Sequence, residues 1–166
     1  MKKILALSVV LLAFSAGMFA QNTDTEQTTA TATIVGPLSL SKVSDMNFGT
    51  IAVGAAAGTV VLGTDNSRTA TTVTLVPPAA GIAASFTVAG DGNRTFTITL
   101  PADGTVSLAG PGTAMPVNAF VHNAGGSPAL SGGTAAFTVG ATLTVNASQA
   151  SGSYTSANFP VTVSYN

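Results

Sequence analysis

From residue 30 onward nearly every stretch of this chain alternates between apolar and small polar side chains with a period of two. The clearest case is Thr95 to Leu100, where Phe96, Ile98 and Leu100 alternate with Thr95, Thr97 and Thr99. Successive side chains of a strand point to opposite faces, so this pattern puts three large apolar groups on one face and three threonines on the other. Ala84 to Ala89 repeats it with Phe86 and Val88. The turn-forming run Gly90-Asp91-Gly92-Asn93 between them predicts a hairpin, because these residues tolerate the positive φ of tight turns. The same pattern predicts strands at Ala30 to Val35, Asn47 to Ile51, Thr59 to Leu62, Thr69 to Val76, Thr105 to Leu108, Val117 to His122, Ala135 to Val145 and Phe159 to Tyr165.

Breakers separate these segments, among them Gly54, Gly58, Gly63, Pro77-Pro78, Asp103-Gly104, Gly110-Pro111-Gly112, Gly125-Gly126, Gly132-Gly133 and Gly152. After the first twenty residues no window carries a helical apolar stripe. Short strands at near-regular spacing predict an all-β fold, specifically an immunoglobulin-like antiparallel β-sandwich. One shared core is expected from Phe86, Val88, Phe96, Ile98, Phe137, Val139, Leu143, Phe159, Val161 and Val163.

The beginning of the chain follows a different pattern. Lys2 and Lys3 precede an unbroken apolar run from Ile4 to Phe14, and small residues follow to Ala20. This is the charge, apolar stretch and small-residue zone of a secretory signal peptide. A membrane span takes about 20 consecutive apolar residues, more than this run supplies. The expected organisation is a signal peptide over 1–20, a flexible polar leader over 21–29 and a single sandwich domain over 30–166. The location implied is the periplasm, the outer surface or the extracellular space, with no transmembrane span in the mature chain. The chain has no cysteine, so neither a disulfide framework nor thiol chemistry is available to it.

Only 7% of residues are charged and the formal net charge is −1; losing Lys2 and Lys3 lowers it by two. Nucleic acid requires clustered Lys and Arg, so none is expected as a partner. His122 is the lone histidine and no Gly-x-Ser-x-Gly elbow is present. Zinc sites want several His or Cys. Asp91 with Asn93, and Asp65 with Asn66, offer oxygens in turns but lack the alternate carboxylates and closing Glu of a calcium loop. The acids otherwise lie in turns or the leader, with no pair marked out for glycoside chemistry. The expectation is therefore a protein that is not an enzyme, with no catalytic residues, no metal and no cofactor.

Four blocks carry a resemblance: Ala30-Thr-Ala-Thr-Ile-Val-Gly-Pro-Leu-Ser-Leu, Met46-Asn-Phe-Gly-Thr-Ile-Ala-Val-Gly, Phe137-Thr-Val-Gly-Ala-Thr-Leu-Thr-Val, and Gly152-Ser-Tyr154 followed by Phe159-Pro-Val-Thr-Val-Ser-Tyr-Asn. In this order they resemble a family of exported bacterial β-domains known as domain of unknown function 4402, which implies an all-β exported domain and no activity. A looser resemblance, carried by Gly152-x-Tyr154 and the penultimate Tyr165, is to the pilin subunits of chaperone-usher fibres. Those are incomplete sandwiches whose missing strand comes from a chaperone or the next subunit.

That likeness turns attention to Ala32, Ile34, Gly36, Leu38 and Leu40 near the beginning, and to Phe159, Val161, Val163 and Tyr165 near the end, as residues for strand exchange or terminal pairing. Pro37 departs from the donor pattern, since it cannot donate a ladder hydrogen bond. Residues 30 to 40 read first as the opening strand of the domain's own sheet, and alternatively as a donor strand for a neighbour. The resulting expectation is a non-enzymatic structural or interaction protein of the bacterial cell surface, with a pilin-like fibre subunit as its most specific form. Its partners would be copies of itself or a periplasmic chaperone. The alternative is a self-contained surface binding module that holds a glycan or other ligand through loops such as Pro111 to Pro116 or Asn123 to Gly133.

Overall fold

A computed structural model describes residues 23–78 and 80–166; the expected signal peptide lies outside the described residues. The chain divides into two units that meet between Ile34 and Val35. Of the first, residues 23–34 are exposed and form no strand. The strand expected at Ala30 to Val35 is therefore not formed: alternation makes a segment able to pair, but a strand also requires a ladder beside it.

The second unit is all-β and antiparallel. Its strands are β1 (Ser39–Ser44), β2 (Ile51–Ala52), β3 (Gly58–Leu62), β4 (Arg68–Thr71), β5 (Thr74–Leu75), β6 (Ala84–Ala89), β7 (Phe96–Thr99), β8 (Val106–Ala109), β9 (Met115–His122), β10 (Thr134–Val145), β11 (Thr155–Ser156) and β12 (Thr162–Tyr165). The large sheet runs β1-β6-β10-β9-β8-β11, with β3 also on β10 and β4 beyond β3. A second sheet pairs β12 with β7, and a short ladder pairs β2 with β5. The sheets form a sandwich.

Strand β10 organises the large sheet. Its first half, from Thr134 to Val139, lies against β6, and its second half, from Ala141 to Val145, lies against β3. Gly140 stands at the hand-over, where a Cβ would come within 2.3 Å of the Leu62 carbonyl oxygen. Only glycine fits beneath that crossing backbone. The Thr138 hydroxyl donates to the Thr64 carbonyl at 2.7 Å and pins the same crossing.

The expected hairpin between Ala84–Ala89 and Thr95–Leu100 is not present. β6 pairs with β1 and β10, whereas β7 pairs with β12. The two strands sit in different sheets, and Phe86, Val88 and Phe96 meet across one core. Gly90 to Asn93 crosses between layers rather than turning within one, with Gly133 donating to the Gly92 carbonyl at 2.7 Å and Gly132 to Asn93 Oδ1 at 2.8 Å. The other edge of β7 is held by residues 128–130, through Phe96 N–H to Pro128 and Leu130 N–H to Arg94.

Local backbone breaks explain the other differences. Asn47 makes an isolated bridge to Ile82, and Gly49, at φ 72°, separates it from β2. Thr72, at φ 69°, divides the run expected over Thr69 to Val76 into β4 and β5. At the end, β12 begins at Thr162 and not at Phe159, consistent with Pro160 having no N–H for a ladder.

The expected single core is two clusters. Phe48, Val60, Leu62, Val106, Met115, Val117, Leu143 and Val145 build the first, with Phe159 packed on it. Phe86, Val88, Phe96, Leu130, Phe137 and Val139 build the second, with Ile98, Val161, Val163 and Tyr165 packed on it. The division follows β10, whose side chains before and after Gly140 serve different clusters.

Candidate functional site

The residues singled out near the two ends of the chain are partly brought together. Ala32 and Ile34 are exposed, and Ile34 is 94% exposed. Leu38 and Leu40 are half-buried against the second cluster, where Leu40 stands opposite Val88 in the β1–β6 ladder. Val161, Val163 and Tyr165 pack on that same cluster from the other sheet, with Val163 opposite Ile98 and Tyr165 opposite Phe96. Phe159 goes elsewhere, its ring tilted against Phe120 at 5.5 Å on the first cluster.

The Tyr165 hydroxyl closes this seam. It accepts the Asp91 N–H at 2.7 Å and donates to the Gly36 carbonyl at 3.2 Å, so one oxygen ties the entry to β1, the crossing after β6 and the end of β12. Gly90 lies directly beneath it, since a Cβ there would meet that oxygen at 2.3 Å.

The loops considered for a binding module use their polar groups internally. Gln149 is buried; its amide donates to the Thr113 carbonyl at 2.5 Å and its oxygen accepts from Asn146. Tyr154 accepts the Gly112 N–H at 2.9 Å and donates to the Ala150 carbonyl. In the second loop Asn123 accepts the Thr138 N–H at 2.9 Å, and His122 Nδ1 accepts the Ala124 N–H at 3.3 Å. These bonds give each side chain a structural role.

Among the described residues no three His, Asp or Glu side chains gather as metal ligands. Asp65 is turned onto Ser67, whose hydroxyl and N–H hold its carboxyl below the usual carboxylate range. A depression of about 280 Å³ lies over β1, β6 and β10, lined by Val43, Ser85, Thr87, Asn123, Ala136 and Thr138 together with edges of Phe86 and Phe137.

One feature that alternation alone could not show is how the outward residues line up across strands. Ser44, Ser85 and Thr138 form one row, Ser41, Thr87 and Ala136 another. Beyond Gly140, Thr71, Thr59 and Thr144 form a third, and Thr69, Val61 and Thr142 a fourth. The charged residues on these strands, Lys42 and Arg68, stand in other rows, opposite Phe86 and Leu62. Individual threonines were legible in the sequence, but the rows require the register.

These features define an all-β antiparallel sandwich domain whose terminal strands close its second core and whose large sheet presents uncharged hydroxyl rows. The chain belongs to the family described as Domain of unknown function (DUF4402), whose model matches residues 38–165. That span runs from the entry to β1 through the last residue of β12. No curated protein and no solved structure matches the chain. No helix among the described residues is long and apolar enough to cross a membrane.

Proposed function

We propose that this is a non-enzymatic, exported structural or interaction protein of the bacterial cell surface that works by surface and edge contact, as a pilin-like fibre subunit would. The observation that carries this reading is the set of hydroxyl rows on the large sheet. Burying a charge costs several kcal/mol per ion unless it is well paired. A face of Ser, Thr, Ala and Val avoids that cost; the Ser44, Ser85 and Thr138 hydroxyls bond within the molecule, and the other rows supply the hydroxyls for a neighbour. The internal bonding of the 111–116 and 123–133 loops gives less support to a ligand-binding module.

The pattern of the first twenty residues supports the exported part of this reading. Antibody labelling of intact cells, N-terminal sequencing and sedimentation of the recovered protein test the reading together. The expected result is surface labelling, a chain beginning near Gln21 and species larger than one molecule. A chain that keeps Met1 in the membrane fraction, or an entirely monomeric protein, would overturn it.

A further inference from the structure

The edges of the sheets differ in how they are guarded. β1 carries Lys42 and a register shift between Lys42 and Ser44. β4 begins with Arg68 and is followed by Thr72 at positive φ. β2, β5 and β11 are two residues long. Charge, bulges and shortness keep sheet edges from joining other chains. β12 carries neither charge nor bulge: Thr162-Val163-Ser164-Tyr165 is uncharged, free of proline and in unbroken register with β7.

Asn166, donating to the Thr95 carbonyl at 3.3 Å, fixes the hydrogen-bond phase of β12. Positions in an antiparallel ladder alternate between bonded and non-bonded pairs. Thr162 and Ser164 therefore turn their N–H and C=O toward β7. Val163 and Tyr165 turn theirs outward, where no strand of the described residues pairs. Val161, just ahead of β12, has the same outward phase, so the N–H that Pro160 lacks falls on the β7 side and leaves the outer row intact. The core is also less covered along this edge, since Val161 and Val163 are half-buried whereas Val88 and Val139 of the same cluster are 0% exposed.

That outer row is complementary to itself. We propose that the free edges of β12 in two copies pair antiparallel about a two-fold axis through Val163. This register sets Val163 against its own copy and Val161 against Tyr165 on either side, and each facing pair exchanges both of its N–H···O bonds. Moving the axis to Thr162 or Ser164 leaves an outward residue of the row without a facing one. β7 and β12 of both copies become one sheet, with Val161 and Val163 of each copy beside those of the other on the core face and the Thr162 and Ser164 hydroxyls on the outer face. The contact is isologous and uses up both edges, so it closes at a dimer and any larger assembly must employ another surface. It involves no residue ahead of β1. This rests on the self-associating reading above and names the edge, the axis and the partner.

The full exported chain tests it. Sedimentation is expected to show a dimer that dissociates on dilution, with amide exchange at Val163 and Tyr165 slowing as the dimer forms, while the amides of Thr162 and Ser164, already bonded to β7, change little. Thr162 and Ser164 are exposed, so the Thr162→Lys, Ser164→Lys double variant keeps the fold, checked by circular dichroism, and sets like charges opposite each other across the axis. It should lose the dimer, and mixing it with the Thr162→Glu, Ser164→Glu double variant should restore one. The chain has no cysteine, which allows a register test by mild oxidation. Thr162→Cys mixed with Ser164→Cys should link, because the two face each other as a non-bonded pair about 4.5 Å apart at Cα. Either variant alone should stay unlinked, its two copies being offset by about 7 Å along the strand. A dimer that survives the double lysine variant, a single cysteine variant that links as readily as the mixture, or no linkage at all would overturn the proposal. If the unaltered chain associates while its Val163 and Tyr165 amides exchange freely, only this contact is wrong; if it is monomeric at every concentration, the self-associating reading fails with it.

Discussion

Replacing Phe96 by alanine tests the sandwich at the point where its two layers meet. The ring is 1% exposed within the second cluster, and the residue stands opposite Tyr165 in the β7–β12 ladder. Its N–H donates to the Pro128 carbonyl at 2.9 Å, a bond the alanine backbone can retain. The loss is therefore that of the ring, a transfer cost plus a cavity, about 3–5 kcal/mol for a buried Phe. Whole domains are stable by only about 5–15 kcal/mol, so a large share should disappear. Thr97→Ala next to it is the control. Thr97 is exposed and its hydroxyl donates to Asn166 Oδ1 at 2.5 Å; at an exposed site the net cost should stay within about 1 kcal/mol. Urea unfolding followed by far-ultraviolet circular dichroism suits a chain without tryptophan. A shifted midpoint at constant slope reports stability alone. Equal, small shifts for both variants would refute the assignment of β7's inward face.

Three further substitutions follow from the same geometry. Gly140→Ala drives a Cβ against the backbone at Leu62 and Gly63, so thermal melting should show a loss of about 1–3 kcal/mol, the range for overpacking, with faster amide exchange around Gly63. Tyr165→Phe keeps the ring but removes the oxygen shared by Asp91 and Gly36; it should cost about 0.5–1.5 kcal/mol and raise exchange at the Asp91 amide while leaving the Gly112 amide, held by Tyr154, unchanged. Asp65 has its pKa lowered from 3.8 by the Ser67 hydroxyl and N–H, so its contribution to stability is present above that value and is lost as pH falls through the folded-state value. Asp65→Asn should flatten the acid limb of a stability-against-pH curve, and an unchanged limb would assign that limb to other groups.

Strand existence was largely legible because period two leaves a local mark: Ala84–Ala89 forms with the expected bounds, and the long run ending at Val145 forms as β10. Which strands lie side by side was not legible. Phe86 and Phe96 carry the same inward signal whether their strands are neighbours in one sheet or opposed across a core, and Gly90 to Asn93 suits a tight turn or a crossing equally well. The opposed arrangement is the one that gives both apolar faces a partner layer. Gly140 carries a similar lesson, since in sequence it reads as a weak point in a strand, while in the fold it admits the backbone that crosses β10. Of the residues considered for terminal pairing, Leu38, Leu40, Val161, Val163 and Tyr165 showed their inward phase in the alternation. That Ile34 lies in no strand did not show, because it depends on where a ladder begins.

The ladder of β1 begins just past Pro37, at Ser39. Proline fixes φ and offers no N–H, so a single pairing strand running unbroken from Ala30 to Leu40 is disfavoured at that point. The alternating stretch is divided into a part that closes the domain's own sheet and a part that carries its apolar phase into solvent. Leu38 and Leu40 supply the second cluster from the first part, and Tyr165 binds the Gly36 carbonyl beside the division. That bond fastens the chain just ahead of β1, on the far side of Pro37 from the ladder. Because the β1–β6 ladder starts at Ser39, the edge of β6 is covered by β1 without any contribution from the alternating residues ahead of Pro37.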